Sequence, residues 1–109
     1  MPYAPLLDDT EIVAGLARLE QWRRDGDAIV RDLRFPTFPA AIAFVGRVAE
    51  LAEAADHHPD IDVRWRTVRL VLTTHASGGL TARDLDLAAR IDGIVGRFAG
   101  VPEPARADG

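Results

Sequence analysis

Apolar residues recur along the chain with two different periods. A spacing of three or four residues places them on one side of a helix, and a spacing of two places them on one side of a strand. Between Asp8 and Phe98 these periods predict the order helix, strand, strand, helix, strand, strand, helix. We therefore expect a single α+β domain with a four-stranded antiparallel sheet and helices packed on one of its faces.

The first helix and the first strand pair are marked by short polar signals. Asp8 and Glu11 have the spacing of a capping box, which predicts a helix that begins after Asp8. The dipeptide Asp25-Gly26 separates two apolar runs and favours a tight hairpin turn between two strands, because glycine tolerates positive φ. The apolar side of the first helix is expected to consist of Ile12, Leu16 and Leu19.

The longest predicted element is a helix that runs to about Ala55. Thr37 is placed to cap it, and Pro39 is tolerated in its first turn. The apolar residues at helical spacing within it are Phe38, Ile42, Val45, Ala49 and Ala52.

The second half of the chain repeats the strand pair and ends on another helix. The two strands are predicted at Ile61 to Trp65 and Thr67 to Thr74, and Thr81 is placed to cap the last helix. The buried side of that helix is expected to consist of Leu85, Ala88, Ala89, Ile91, Val95 and Phe98. We expect the domain to occupy residues 1–100 and residues 101–109 to form a disordered tail, because the tail has little to bury.

Composition then excludes several classes of function. The 109 residues include no cysteine, which removes disulfides, thiol catalysis and cysteine-ligated metals. The net charge of −4 arises from 13 arginines and 17 acidic residues that are scattered along the chain, so nucleic acid is not an expected partner. The first residues lack the basic, apolar and small-residue pattern of a leader peptide, and no apolar segment reaches about 20 residues, so we expect a cytoplasmic protein that does not enter membranes.

The three histidines lie within one short stretch and are the best candidates for chemistry. Glu53 precedes His57 by four residues near the end of the long helix. Pro59 disfavours helical backbone at His58, so the two adjacent imidazoles should point in different directions. Antiparallel return of the following strands could bring His75 back beside them. A cluster of imidazoles suits acid–base catalysis, because the ordinary pKa of histidine is about 6.5.

Other interpretations of the cluster remain open from the residues alone. Each histidine taken singly is more often a solvated or capping residue. Three imidazoles with Glu53 could hold zinc, although adjacent histidines suit one ion poorly and the spacing of metalloprotease ligands is missing. Nucleophilic hydrolysis has little support, since Ser77 is the only serine and lies in a predicted loop.

The motif around these histidines resembles that of the pterin-4a-carbinolamine dehydratases. The family pattern is an acidic residue, three spacers, His-His-Pro, a short gap to an aromatic residue, nine spacers, a histidine and a distal aspartate. This chain supplies Glu53, His57-His58-Pro59, Trp65, His75 and Asp84. The resemblance extends from about Leu6 to Ile94. It implies a four-stranded sheet backed by helices, homodimers joined through sheet edges, and homotetramers joined through the long helix.

The resemblance also implies a function and a role for each residue. The family are lyases that remove water from a 4a-hydroxytetrahydropterin to give the quinonoid dihydropterin, in tetrahydrobiopterin recycling. By resemblance, His57 and His75 flank the departing hydroxyl, and His58 contacts the pterin and serves as the base. Glu53 orients a histidine, Asp84 steadies His75, and the substrate contacts are completed by Trp22 and Thr74. Because the pterin is the substrate, no metal and no bound cofactor are expected. The alternative is a non-catalytic interaction module that keeps this fold and acts through its dimer surface.

Overall fold

The computed structural model describes residues 4–103. They form three α-helices, an antiparallel sheet and two short 3-10 turns at His75–Ser77 and Gly96–Phe98. The elements are α1 Asp9–Leu16, β1 Arg23–Asp25, β2 Ala28–Arg34, α2 Phe38–Ala55, β3 Asp60–Arg64, β4 Thr67–Leu72, α3 Ala82–Val95 and β5 Val101–Pro102. The strand order in the sheet is β1-β2-β4-β3, and the short strand β5 pairs with β2. The predicted class and element order are confirmed.

The two faces of the sheet differ in burial, as the alternation in β4 predicts. Val68, Leu70 and Leu72 are fully buried. The residues between them, Thr67, Arg69 and Val71, are partly exposed. Ile29 and Leu33 of β2 stand opposite Leu72 and Val68 and join the same core. The helices therefore cover one face of the sheet, and the opposite face, which none of the three helices covers, is called the open face.

Three of the predicted helix caps are present. In α1, the backbone N–H of Glu11 donates to Asp8 Oδ1 at 2.8 Å, and the N–H of Asp8 donates to Glu11 Oε1 at 3.0 Å. Thr37 and Thr81 cap α2 and α3 through their side chains. Helix α1 ends at Leu16, earlier than predicted, although Leu19 beyond it is still buried.

The first hairpin turn lies one residue later than the sequence predicts. Asp25 pairs with Ala28 within the ladder, so Gly26 and Asp27 form the loop. Gly26 adopts φ 60° there, the left-handed conformation that glycine tolerates best. The dipeptide signal identifies the hairpin correctly, and the strand register decides which two residues close it.

The predicted buried sides of the two long helices need correction. In α2 the buried residues are Ala41, Phe44, Val48 and Ala52, whereas Phe38 and Ile42 are each 46% exposed. Phe44 decides the orientation, because its ring packs 4.8 Å from Phe35 and 5.9 Å from Phe98. In α3, Ala89 is exposed and Leu85 only half-buried. The buried residues of α3 are Asp84, Leu87, Ala88, Ile91, Ile94 and Val95.

Ordered structure continues past the predicted domain boundary at residue 100. Val101 and Pro102 form β5 and pair with Arg34 and Leu33. The N–H of Glu103 then donates to the Asp32 carbonyl at 3.1 Å. The rest of the predicted tail, residues 104–109, lies outside the described residues.

A buried carboxylate holds the open face of the sheet together. The Asp32 side chain is only 1% exposed. It accepts hydrogen bonds from Arg69 Nε at 2.7 Å and from Arg23 Nη1 at 3.1 Å. Burial alone would raise the pKa of Asp32, but the hydrogen bonds from Arg69 and Arg23 outweigh it and hold that pKa below its usual value. The ionised carboxylate thus links β1, β2 and β4.

Asp32→Asn should destabilise the fold in a pH-dependent way. Because the pKa of Asp32 is lower in the folded state than the ~3.9 of an unfolded chain, its stabilising effect is complete above that value. The effect is lost as pH falls through the folded pKa. We expect the variant to lose about 2 kcal/mol near neutral pH and to approach the parent at acid pH. Urea unfolding measures this, with the exposed Asp25→Asn as control. An equal loss of stability at neutral and at acid pH would contradict the role assigned to the Asp32 carboxylate.

Candidate functional site

The three predicted histidines lie at one end of the sheet. Strand β4 ends where β3 begins, since Val71 pairs with Asp60. His57 and His58 come directly before β3, and His75 follows β4. Helix α3 begins at the same end, which brings its first turn beside them. The antiparallel return expected from the sequence therefore holds.

The end of α2 turns the two neighbouring imidazoles in different directions. Asp56 adopts a left-handed conformation with φ 49°, and the N–H of His57 donates back to the Ala52 carbonyl at 3.1 Å. The His57 side chain is 8% exposed, whereas that of His58 is 57% exposed. The helix end thus places one imidazole in the interior and the other at the surface.

His57 is held by a buried carboxylate. Its Nε2 lies 2.6 Å from Oδ1 of Asp84, a residue with no solvent exposure. Oδ2 of Asp84 accepts the hydroxyl of Thr74 at 2.8 Å and the N–H of Thr81 at 2.9 Å. This last bond belongs to the capping box that starts α3. The local structure that begins the helix also orients the carboxylate toward His57.

These contacts give Asp84 and Thr74 partners that the sequence does not predict. Asp84 is expected to steady His75, but its carboxylate contacts His57, because the capping box directs it into the interior. Thr74 is expected to contact substrate, but it is buried, and its hydroxyl lies 2.8 Å from both Asp84 Oδ2 and Thr81 Oγ1. Thr74 therefore supports Asp84. Thr81 enters this network through the same Thr-x-x-Asp spacing that signals the helix cap.

The hydrogen-bond network defines which nitrogen of His57 carries a proton. An ionised carboxylate has acceptors only, and both other partners of Asp84 are donors. We infer that Nε2 of His57 is protonated and donates to Asp84. The lone pair of the neutral ring then lies on Nδ1, the nitrogen available for proton exchange.

A second histidine–carboxylate pair lies at the surface. Nε2 of His58 is 2.6 Å from Oε1 of Glu53, and the Glu53 side chain is 78% exposed. Glu53 belongs to the last turn of α2, and His58 lies beyond its end, so the pair bridges the helix terminus. The expected contact between Glu53 and a histidine is present, and that histidine is His58.

His75 opens the 3-10 turn after β4 and is exposed. Its loop is anchored on both sides. Thr74 and Gly79 form a bridge, with the N–H of Thr74 donating to the Gly79 carbonyl at 3.0 Å. The Ser77 hydroxyl donates to the Ala4 carbonyl at 2.5 Å. The exposed imidazole is therefore carried by a fixed loop.

Two aromatic residues lie apart from the histidines. Trp22, expected to contact substrate, is buried in the core, and its indole N–H donates to Asp92 Oδ1 at 2.8 Å. Asp92 is about 12 Å further along α3 than Asp84. Trp65 is 70% exposed in the β3–β4 turn, at the opposite end of those strands, where its φ is 55°. The structure brings neither ring to the three histidines.

A cleft of about 180 Å³ opens beside His57. It is lined by Ala55, His57, Arg83, Asp86, Leu87 and Arg90. A larger cleft of about 300 Å³ lies beside Arg34 and Arg66 at the other end of the sheet and contains none of the histidines. Within residues 4–103, no group of three or more His, Asp or Glu side chains is arranged to hold a metal ion. In the same range, every helix is too short or too polar to span a bilayer.

The sequence of this chain is similar to a described protein family and to proteins from several bacteria. The family model described as pterin 4 alpha carbinolamine dehydratase matches residues 5–94. A Nocardia farcinica protein, provisionally named pterin-4-alpha-carbinolamine dehydratase, is 59% identical over 87 residues, which are 80% of this chain and 92% of that protein. A Roseiflexus castenholzii protein with the same provisional name is 58% identical over 84% of this chain and 99% of its own length.

Two solved structures share the fold. The crystal structure of a transcriptional coactivator/pterin dehydratase from Brucella melitensis matches with a TM-score of 0.78 and 31% identity, over 81% of this chain and 96% of that one. A pterin dehydratase-like protein identified as a RuBisCO assembly factor in the alpha-carboxysome matches with a TM-score of 0.60 and 25% identity, over 70% of this chain and 90% of that one.

Asp84→Asn should invert the tautomer of His57. An asparagine has one acceptor oxygen, and the hydroxyl of Thr74 and the N–H of Thr81 both require it. Its NH2 group then faces Nε2 of His57, which must accept, so the ring proton moves to Nδ1. Imidazole ¹⁵N chemical shifts distinguish the two tautomers, and the exposed Asp86→Asn is the control. A protonated Nε2 retained in neutral His57 of the variant would refute the network.

Proposed function

This chain belongs to the pterin-4a-carbinolamine dehydratase family, and we propose that it catalyses the loss of water from a 4a-hydroxytetrahydropterin. The observation that supports the proposal is the pairing of His57 with Asp84 and of His58 with Glu53 at the end of the sheet where His75 follows β4. The product would be the quinonoid dihydropterin, which a reductase can recycle. The pterin is the substrate, and the proposal requires no bound cofactor.

Loss of the hydroxyl requires an acid and a base. The C4a–O bond breaks as the lone pair of N5 forms a C4a=N5 double bond, and the departing oxygen takes a proton and leaves as water. A base then removes a proton from the ring to give the neutral product. We assign help at the hydroxyl to His57 and His75 and removal of the ring proton to His58.

The two carboxylates give their histidines different properties. Asp84 fixes the ring of His57 from a site without solvent exposure. Glu53 contacts the ring of His58 at the surface, where water and salt weaken the attraction. His75 is exposed and carried on a loop, which suits a group that must meet the substrate. This contrast supports distinct roles for the three imidazoles.

His75→Gln should slow dehydration. Because His75 is exposed, the substitution should leave the fold intact. The substrate is generated in situ, and its decay is followed with and without protein. We expect a loss of about 10²–10⁴ in rate for His75→Gln and for His57→Gln, while a chelator should have no effect. Glu50→Gln, an exposed acid one turn before Glu53, is the control and should be unaffected. Unchanged rates in both histidine variants would exclude this function.

A second candidate function is protein–protein interaction without catalysis. It is favoured by the apolar side of α2 formed by Phe38, Ile42 and Val45, of which Phe38 and Ile42 are each 46% exposed. Two structural relatives are described as a transcriptional coactivator/pterin dehydratase and as a RuBisCO assembly factor. Capture of a partner by a protein without dehydratase activity would favour this role. We propose that this apolar side joins copies of the chain into a homo-oligomer.

Ile42→Glu should lower the molecular mass of the assembly. A buried glutamate would have to give up its hydration at the helix contact, and a charge without a partner is costly there. Light scattering after gel filtration measures the mass. Val13→Glu, at a position 68% exposed on α1, is the matched control and should keep the parent assembly. Equal masses for the Ile42 variant and the parent would show that α2 does not form the contact.

A further inference from the structure

The side chain of Arg83 crosses from the first turn of α3 to the end of α2. Its Nη2 lies 2.5 Å from the carbonyl oxygen of Asp56 and 3.4 Å from that of Ala55. The last carbonyls of a helix have no partner within the helix, and a cation at that end interacts favourably with the helix dipole. Arg83 therefore supplies the bond that the end of α2 lacks.

The held carbonyls lie immediately before the two neighbouring histidines. Asp56 adopts φ 49°, a left-handed conformation in which glycine is the usual residue. Its carbonyl belongs to the peptide unit that leads into His57. The guanidinium therefore fixes the backbone at the point where the direction of the His57 side chain is set.

Adjacent residues of α3 thus hold two parts of one segment. Arg83 binds the backbone that precedes His57, and Asp84 binds the imidazole of His57. The guanidinium of Arg83 and the carboxylate of Asp84 belong to one helical turn, so the capping box sets their relative position. If the end of α2 moved, the contact between His57 and Asp84 would lengthen.

We propose that Arg83 is a positioning residue, which holds the end of α2 so that His57 keeps its orientation against Asp84 and His58 its orientation toward Glu53. The catalytic part of this inference rests on the proposed dehydratase function. Arg83 also lines the cleft beside His57, where a direct contact with substrate is the competing role. The two roles differ in kinetics, since a positioning residue changes kcat and a substrate contact changes KM.

The kinetic experiment compares Arg83→Gln, Arg83→Lys and Arg97→Gln in the full chain. Arg97 is an exposed arginine in the 3-10 turn after α3 and serves as the control. We expect Arg83→Gln to lower kcat about 10- to 100-fold with little change in KM. Arg83→Lys should fall between it and the parent, because an ammonium can reach one carbonyl without the guanidinium geometry. An increase in KM alone, or an unchanged kcat, would overturn the proposal.

A spectroscopic readout separates this inference from the proposed function. In Arg83→Gln, the imidazole ¹⁵N and ring proton signals of His57 should shift, and those of His75 should stay in place. Unchanged His57 signals would overturn the proposal whatever the activity. If the parent chain showed no dehydratase activity, the proposed function would fail, and this measurement would still decide whether Arg83 orients His57.

Asp56→Gly added to Arg83→Gln distinguishes positioning from simple stabilisation. Glycine adopts positive φ readily, so the double variant should recover the thermal stability that Arg83→Gln loses. The carbonyls of residues 55 and 56 still lack the guanidinium donor in the double variant, so kcat should stay low. Recovery of both stability and kcat would show that Arg83 acts only on the stability of the helix end, and would overturn the positioning role.

Discussion

The arrangement of the site depends on the hydrogen bonds that the buried carboxylate of Asp84 accepts. A charge without solvent exposure is costly unless it is fully paired. Its three donors come from the end of α2, the end of β4 and the start of α3, through His57, Thr74 and Thr81. Satisfying one buried carboxylate therefore fixes three chain segments relative to one another. His57 takes its position from that requirement.

Charge is used differently on the two sides of the sheet. On the open face, Asp32 is surrounded by the guanidinium groups of Arg69 and Arg23, and its role is to hold strands together. On the helix side, Asp84 is paired with the imidazole of His57, a side-chain type that can donate or accept a proton. The two buried carboxylates therefore have partners of different kinds, two guanidinium groups for Asp32 and an imidazole with two neutral donors for Asp84.

Much of the fold could be predicted because its signals are local. The capping boxes, the alternation in β4 and the His-His-Pro break at the end of α2 each depend on residues within a few positions. The buried side of α2 could not be predicted, because Phe38 and Ile42 repeat with the same period as Phe44 and Val48. Only packing against Phe35 and Phe98 decides between them. The partner of Asp84 and the placement of Trp22 escaped prediction for the same reason, since both depend on contacts between distant segments.

The capping box of α3 has a consequence for how the site opens and closes. The N–H of Thr81 and the imidazole of His57 share one carboxylate, so fraying of the first turn of α3 would release both. The site and the start of α3 are therefore coupled through one carboxylate. Exchange of the Thr81 amide with solvent deuterium would accordingly report, in the absence of any substrate, how often the helix start releases the carboxylate that holds His57.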